Sequence, residues 1–166
     1  AALENRAEAV RALAAAGAHV NAASSVTAYP HTPPGVIGDA LEEGYSYVGQ
    51  TVLPRGGWTA LMYAARQGAI DAARALVECG ADLKAADPDG TPALTFAIIN
   101  GHYALATLLA DKGADVNQPD RTGATPLYSA VDMHTLQTSF GRPVLTRDVT
   151  DGSVGAATML LAHGAD

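Results

Sequence analysis

Five histidines and one cysteine are the side chains of this chain best suited to catalysis or metal binding. Histidine exchanges protons near neutral pH, and histidine and cysteine together can hold zinc. The histidines, however, are scattered along the sequence at positions 19, 31, 102, 134 and 163. Cys79 has no second cysteine and no histidine at ligand spacing, which argues against zinc and excludes an internal disulfide.

The acidic residues and glycines also lack the spacing that chemistry needs. Glu42 and Glu43 are adjacent and would point to different faces of a helix, so paired carboxylate catalysis is not expected. Asp148 and Asp151 are too few for a calcium loop, and we expect Asp151 to cap a helix. The glycines are not clustered as in a phosphate-binding loop. We therefore predict no catalytic residue, metal ligand or cofactor, and no enzyme.

A period of 33 residues organises most of the sequence. Gly57, Gly90 and Gly123 follow one another at this spacing, and a closing glycine recurs at positions 17, 80, 113 and 164. Before each closing glycine a leucine column and a column of smaller residues lie three positions apart, on one side of a helix. The leucines are Leu13, Leu76, Leu109 and Leu160, and the smaller residues are Val10, Ala73, Ala106 and Ala157. The pattern predicts stacked helices, each ended by a left-handed glycine.

Helix starts can also be located. Thr59 and Thr125 stand where a hydroxyl can accept a hydrogen bond from an unpaired backbone N–H, and Pro126 follows in the first helical position. In one copy Pro92 occupies the threonine position, so that helix is expected to begin without a side-chain cap.

These residues resemble ankyrin repeats, whose period is about 33 and whose signature contains Thr-Pro-Leu. Thr125, Pro126 and Leu127 match the signature directly, Thr59, Leu61 and Ala64 match around an alanine, and residues 113–117 read Gly-Ala-Asp-Val-Asn. The resemblance implies an all-α solenoid of helix-turn-helix repeats joined by short β-hairpin finger loops. Its alanine-rich style is similar to bacterial members of the family.

Two insertions interrupt the period. Gly17 and Gly80 are separated by 63 residues, 30 more than one period, and Gly113 and Gly164 by 51, an excess of 18. We predict a single domain over residues 1–166. It comprises a partial repeat 1–22, a finger insertion 23–54, repeats 55–86 and 87–119, and a repeat 120–166 containing the insertion 135–152.

The resemblance implies a non-catalytic module that binds a protein partner on its concave surface. By position in the repeat, the expected contact residues are Arg55, Trp58, Arg66, Gln67, Asp89, Thr91, Ile99, Asn100, Arg121, Asp132 and Met133, with Tyr45 and Tyr47 of the first insertion. Trp58 is the foremost of these, because tryptophan is enriched among residues that dominate binding energy. It has an alternative use as the centre of a small local core beneath Tyr45, Tyr47 or Val48.

Two other functions stay open at the level of sequence. The tyrosine-rich insertion 29–54 could close a small-ligand pocket over Trp58, His31 and Tyr63, as a ligand-binding or enzyme-linked domain. Alternatively, the insertions are packing material in a spacer between other domains.

Composition limits the partners and the location. A net charge of −7 argues against a nucleic-acid partner, and no apolar run is long enough for membrane insertion. A soluble protein is expected, in the cytoplasm or, from the bacterial likeness, the periplasm, and no leader segment is visible. Val10, Leu13, Leu160 and Leu161 keep the terminal helices apolar where terminal repeats are normally polar, so further repeats or another chain are expected to cover the ends.

Overall fold

The structure is a computed structural model that describes residues 1–26, 56–135 and 147–166, without the side chains of residues 134–135 and 147–151. This part of the chain contains seven α-helices and no strand beyond two isolated β-bridges. The helices are α1 (Ala7–Ala15), α2 (Ala60–Gln67), α3 (Ile70–Glu78), α4 (Ala93–Ile99), α5 (Tyr103–Asp111), α6 (Pro126–Thr135) and α7 (Arg147–Ala162).

The helices form antiparallel pairs that stack in chain order. Helices α2 and α3, α4 and α5, and α6 and α7 are the pairs within repeats. First helices pack on first helices, α2 on α4 and α4 on α6, while α1, α3, α5 and α7 form a second layer. The core between the layers is built from alanine and leucine, and Ala64, Ala73 and Ala106 are fully buried in it. Small side chains in the core allow the helix pairs to approach closely.

The first helices begin as the sequence predicts. The Thr59 hydroxyl accepts a hydrogen bond from the Met62 backbone N–H at 3.4 Å, and Thr125 accepts one from Tyr128 at 3.2 Å. Helix α6 starts at Pro126. Pro92 is the N-cap residue of α4 and gives no side-chain hydrogen bond.

Left-handed residues end the helices. The closing glycines have φ between 86° and 92°, a conformation that glycine adopts without strain. Asn5 also has a positive φ, 52°, and occupies the position of Gly68 and Gly101. Its N–H bonds to the Ala2 carbonyl, as the Gly68 N–H bonds to that of Ala65. The partial repeat, residues 1–22, therefore begins with the last turn of a first helix.

The leucine column is buried except at one end. Leu76, Leu109 and Leu160 are buried as predicted, but Leu13 is 55% exposed, so its expected place in the core is wrong. The partial repeat has only the last turn of a first helix, whereas α3 and α5 pack against the complete first helices of their own repeats.

Asparagine side chains link neighbouring repeats. The Asn21 amide donates to the Gly80 carbonyl at 3.1 Å and accepts from the Asp82 N–H at 2.8 Å. Asn117 makes the same pair of bonds with Gly164 and Asp166, at 3.0 and 3.1 Å. At the junction between these two, the equivalent residue is Lys84, whose side chain cannot accept a hydrogen bond.

Helix α7 is longer than the other second helices. It has 16 residues, against nine in α3 and α5, and begins at Arg147, within the segment predicted as the second insertion. Asp151 therefore lies inside the helix, and its predicted capping role is wrong. Gly152 faces the Tyr103 ring, because a Cβ at Gly152 would lie 2.5 Å from Tyr103 Cδ2.

Candidate functional site

Each finger loop is held at its base by the same hydrogen bond. In the second finger, Asp87 Oδ1 accepts from the Thr91 N–H at 2.9 Å, and in the third Asp120 Oδ1 accepts from Ala124 at 3.0 Å. In the first finger, Ser24 Oγ takes the place of the carboxylate and accepts from the Trp58 N–H at 3.1 Å. The ends of the first insertion thus keep the ordinary finger geometry.

The backbone at Trp58 is fixed by this pairing. The Ser24 N–H donates to the Trp58 carbonyl at 3.0 Å, the Gly57 N–H donates to the Ser24 carbonyl at 3.0 Å, and Ala23 forms an antiparallel bridge with Thr59. The equivalent bridge in the next finger joins Ala86 and Pro92. The Trp58 side chain therefore extends from backbone that is held by hydrogen bonds to Ser24 at the finger base.

The Trp58 ring joins two repeats. It makes edge-to-face contacts with Tyr63 of α2 and Phe96 of α4, with ring centroids 5.2 and 5.0 Å apart. Such pairs contribute about 0.5–1.5 kcal/mol each beyond the area they bury. Trp58 itself is half-buried, so part of the indole stays accessible. Trp58 was expected either to contact a partner or to form a small local core beneath Tyr45, Tyr47 or Val48. Those three residues lie outside the described residues. The ring contacts that the structure describes come from Tyr63 and Phe96 of the stack.

Arg66 lies over the accessible indole. Its guanidinium carbon is 5.1 Å from the Trp58 ring centroid, within the range of a cation–π contact. The end of α2 beneath it is fixed by His102, whose Nε2 is 3.1 Å from the Arg66 carbonyl oxygen. A Cβ at Gly68 would lie 2.5 Å from His102 Nδ1, so the glycine makes room for this ring. His102 thus has a structural role at the end of α2.

The second and third fingers are joined to each other. The Arg121 guanidinium pairs with the Asp89 carboxylate, and the Arg121 N–H donates to the Asp89 carbonyl at 2.7 Å. Partial burial works to raise the pKa of Asp120. Hydrogen bonds from the Thr122 hydroxyl and from the N–H groups of Ala124, Thr122 and Gly123 outweigh it and lower that pKa.

The remaining expected contact residues differ in accessibility. Ile99 is 40% exposed in the last turn of α4, and Gln67 is exposed at the end of α2. Asn100 is the C-cap residue of α4, and its side-chain amide donates a hydrogen bond to the Phe96 carbonyl at 2.8 Å. Thr91 and Asp132 are half-buried, whereas Met133 is only 4% exposed and contributes to packing. Arg55, Tyr45 and Tyr47 lie outside the described residues.

Groups that could perform chemistry do not converge within the described ranges. No set of three or more histidine, cysteine or acidic side chains is placed there to hold a metal ion. His163 contacts the Met159 carbonyl and the Asp111 carboxylate, and these two acceptors, the carbonyl first, raise its pKa. His31 and the side chain of His134 are not among the described groups.

Sequence reasoning missed three structural roles: Asn5, Ser24 and Tyr103. Aligning Ala1-Ala2 with Ala64-Ala65 would have placed Asn5 in the glycine position, and the 63-residue offset would have matched Ser24 to Asp87. Asn5 also accepts from the Ala72 N–H at 2.9 Å, near the start of α3. No sequence signal would have paired Tyr103 with Gly152, because that contact depends on the extension of α7.

In the described part of the chain, no helix is both long enough and apolar enough to cross a membrane.

Two family models match the repeats found above. One, for ankyrin repeats in three copies, matches residues 82–166, and a second, for a single ankyrin repeat, matches residues 56–88. The first match alone covers just over half of the chain.

Similar curated proteins come from distant organisms. The Escherichia coli (strain K12) ankyrin repeat protein YahD is 32% identical over 117 residues, covering 61% of this chain and 58% of the relative. Serine/threonine-protein kinase 12 of Arabidopsis thaliana is 36% identical over 75 residues, 45% of this chain and 16% of that protein. The Caenorhabditis elegans homolog of ankyrin repeat and LEM domain-containing protein 1 is 41% identical over 68 residues, 41% of this chain and 10% of the relative. The chain thus spans less than two thirds of each of these relatives.

Proposed function

Because the chain belongs to the ankyrin-repeat family, whose repeats are generally non-catalytic protein-interaction modules, we propose that it binds a protein partner. The partner contacts a surface formed by finger bases and the ends of first helices. We call it the first-helix surface; its described members are Trp58, Arg66, Gln67, Ile99 and Asn100. The finger residues Asp89, Thr91 and Arg121 and the half-buried Asp132 border it, whereas Met133 is left out because it is buried.

One observation carries this proposal: Trp58, Arg66 and Ile99 are at least partly exposed, and neighbouring side chains hold Trp58 and Arg66 in place. Ordered aromatic and arginine side chains lose little conformational entropy on binding, and such residues dominate interface energies. Trp58 is held at its backbone by Ser24 and at its ring by Tyr63 and Phe96. A half-buried indole in a fixed position is a ready anchor for a partner side chain.

Site-specific photo-crosslinking tests the proposal. A photoreactive amino acid at Gln67, on the first-helix surface, should capture the partner in the source cells, whereas one at Arg74 should not. Arg74 is a matched control because it is also exposed but lies on the second-layer helix α3. Capture at Arg74 equal to or greater than that at Gln67 would place the interface elsewhere.

We also propose that a further helix pair of the same repeat type covers the end of the stack formed by α6 and α7. Tyr128 and Leu161 are 62% and 57% exposed there. At the same repeat positions inside the stack, Met62, Thr95 and Ala110 are buried and Val77 is half-buried. The proposal rests on this contrast in exposure.

A fusion protein tests the end face. A copy of residues 87–119 joined after Asp166 should unfold together with the parent repeats at a higher midpoint, because neighbouring repeats stabilise each other through their interface. The same fusion made on a Tyr128→Lys background is the control, and its unfolding midpoint should rise less. Separate unfolding of the added repeat, with the parent midpoint unchanged, would contradict the proposal.

A further inference from the structure

The first-helix surface carries a cation whose charge is not neutralised within the described part of the chain. Arg121 is paired with Asp89, and Arg11 with Glu78 at 2.9 Å. Arg66 is exposed and has no carboxylate partner among the described residues. Its contact is instead the aromatic face of Trp58.

The contact with Trp58 places the Arg66 guanidinium carbon 5.1 Å from the ring centroid. A guanidinium carries its N–H groups in a planar fork, and it can rest against an aromatic ring while that fork donates hydrogen bonds. No described side chain or carbonyl accepts from the Arg66 guanidinium. A fork of this kind matches the two oxygens of a carboxylate, which it binds through two parallel hydrogen bonds.

An apolar side chain occupies the same repeat position on the next first helix. Ile99 follows Arg66 by one period of 33 residues and is 40% exposed. Arg66 is near the end of α2 and Ile99 ends α4, and these two helices pack side by side. A partner crossing the two helices therefore meets a cation and then an apolar side chain.

We infer that the first-helix surface recognises an acidic peptide segment, with a carboxylate on Arg66 and an aliphatic or aromatic side chain against Ile99 and the Trp58 ring. This inference rests on the proposed function and names its partner class. The net charge of −7 opposes an acidic partner at long range, but that repulsion is screened beyond about 10 Å in ~0.1 M salt. Selectivity therefore comes from the contact between Arg66 and the carboxylate.

Selection from a displayed library of random 12-residue peptides, followed by fluorescence anisotropy, tests the inference. Enriched peptides should share an Asp or Glu near an aliphatic or aromatic residue. Arg66→Gln should weaken the binding of such a peptide by about tenfold or more, as expected for the loss of a close charge pair. Arg74→Gln, which removes an exposed arginine from α3, should leave binding unchanged. Arg66→Lys keeps the charge without the fork, so it should fall between the parent and Arg66→Gln.

A double-mutant cycle assigns the contact. Changing the peptide carboxylate to its amide should weaken binding to the parent as much as Arg66→Gln does, and should cause little further loss in Arg66→Gln. Additive losses, or a library that enriches no acidic peptide, would overturn the inference. If selected peptides lose binding with Ile99→Ser but not with Arg66→Gln, the acidic partner is wrong while the surface stands. If they bind Trp58→Ala, Arg66→Gln and Ile99→Ser equally well, the proposed surface is wrong too.

Discussion

Asparagine side chains occupy two of the three equivalent positions that join neighbouring repeats. Asn21 and Asn117 each use both ends of the amide, one as donor and one as acceptor, to hold the backbone of the following repeat. At the intervening position the Lys84 carbonyl accepts from Gln118 at 3.1 Å, and its side chain makes no such bridge. The junction between repeats 55–86 and 87–119 is therefore a place where stability can be added.

Lys84→Asn should stabilise the protein. The new amide would reach Gly113 and Asp115, the counterparts of Gly80 and Asp82, and a typical hydrogen bond adds about 1 kcal/mol net. Urea unfolding measures the change. Lys84→Ala is the control, because it removes the lysine without adding an amide. Equal stability of the two variants would show that the bridge does not form at this junction.

His163 should have a pKa higher than that of an unperturbed histidine. Its Nδ1 lies 2.8 Å from the Met159 carbonyl and its Nε2 3.1 Å from Asp111 Oδ1, and only the protonated ring can donate to both. Because the pKa is raised on folding, this stabilisation is complete below the unfolded value of about 6.5 and is lost as pH rises through the folded pKa.

An NMR titration of the His163 ring protons checks this. Asp111→Asn should lower the His163 pKa toward the ordinary value, since the carboxylate is lost while the Met159 carbonyl remains. The unfolding free energy that separates the parent from His163→Gln should shrink as pH rises. A pKa unaffected by Asp111→Asn would show that the ion pair does not form in solution.

At the scale of the elements, two glycines of α7 have opposite surroundings. Gly152 faces the Tyr103 ring, where a Cβ would lie 2.5 Å from a ring carbon, while a Cβ at Gly155 would meet nothing within 4 Å. The close approach matters because the Tyr103 ring lies against α7 at Gly152, next to the buried residue Ser153. Burial raises the pKa of the Tyr103 phenol, against the opposing effect of the Ser153 hydroxyl.

Gly152→Ala and Gly155→Ala should therefore change stability in opposite directions. At Gly152 the added methyl forces Tyr103 to move, which costs about 1–3 kcal/mol. At Gly155 the helix gains about 0.5–1 kcal/mol, because alanine loses less backbone entropy than glycine. Thermal unfolding of the two variants measures both effects. Two substitutions with gains of the same size would show that α7 does not approach Tyr103 closely.

The helices and their caps were predictable because the period repeats each local signal. Thr59 and Thr125 cap helices, α6 begins at Pro126, and the closing glycines are left-handed, since these properties depend on a few adjacent residues. The start of α7 was not predictable, because the period locates Gly152 but says nothing of how far a helix extends into an insertion. Asp151 was consequently assigned the wrong role.

The candidate site was predictable only as a set of positions. Repeat position places Trp58 at a finger base and Arg66 and Ile99 on neighbouring helices, but it does not tell a paired side chain from an unpaired one. That Arg121 is tied to Asp89 while Arg66 rests on Trp58 depends on contacts between repeats. Met133 was expected at the surface from its repeat position, yet it is buried near the end of α6.

At the scale of the whole molecule, the same leucine has a different environment along the stack. Leu109 is fully buried, whereas Leu13 in the partial repeat is mostly exposed. In solenoids, stability is the sum of repeat terms and interface terms, so a leucine buried by its neighbours contributes more than the exposed Leu13.

Leu109→Ala should cost about 2–5 kcal/mol, as for other fully buried leucines, and Leu13→Ala about 0.5 kcal/mol or less, as for an exposed residue. Chemical denaturation of both variants gives the comparison. Leu160→Ala serves as the control, because it is fully buried despite belonging to the last repeat. A cost for Leu13→Ala near that of Leu109→Ala would mean that this face is covered in solution.

The β-bridge between Ala23 and Thr59 at the base of the first insertion allows the loop between them to vary in length and sequence. Thirty-five residues separate Ala23 from Thr59, against five between Ala86 and Pro92. Loop-closure entropy rises with the logarithm of length, so the sevenfold difference costs only about 1.7 kcal/mol. Mutation can therefore lengthen, shorten or rewrite this loop at little thermodynamic penalty while the stack below keeps its shape, so new binding specificities can evolve here without a new fold.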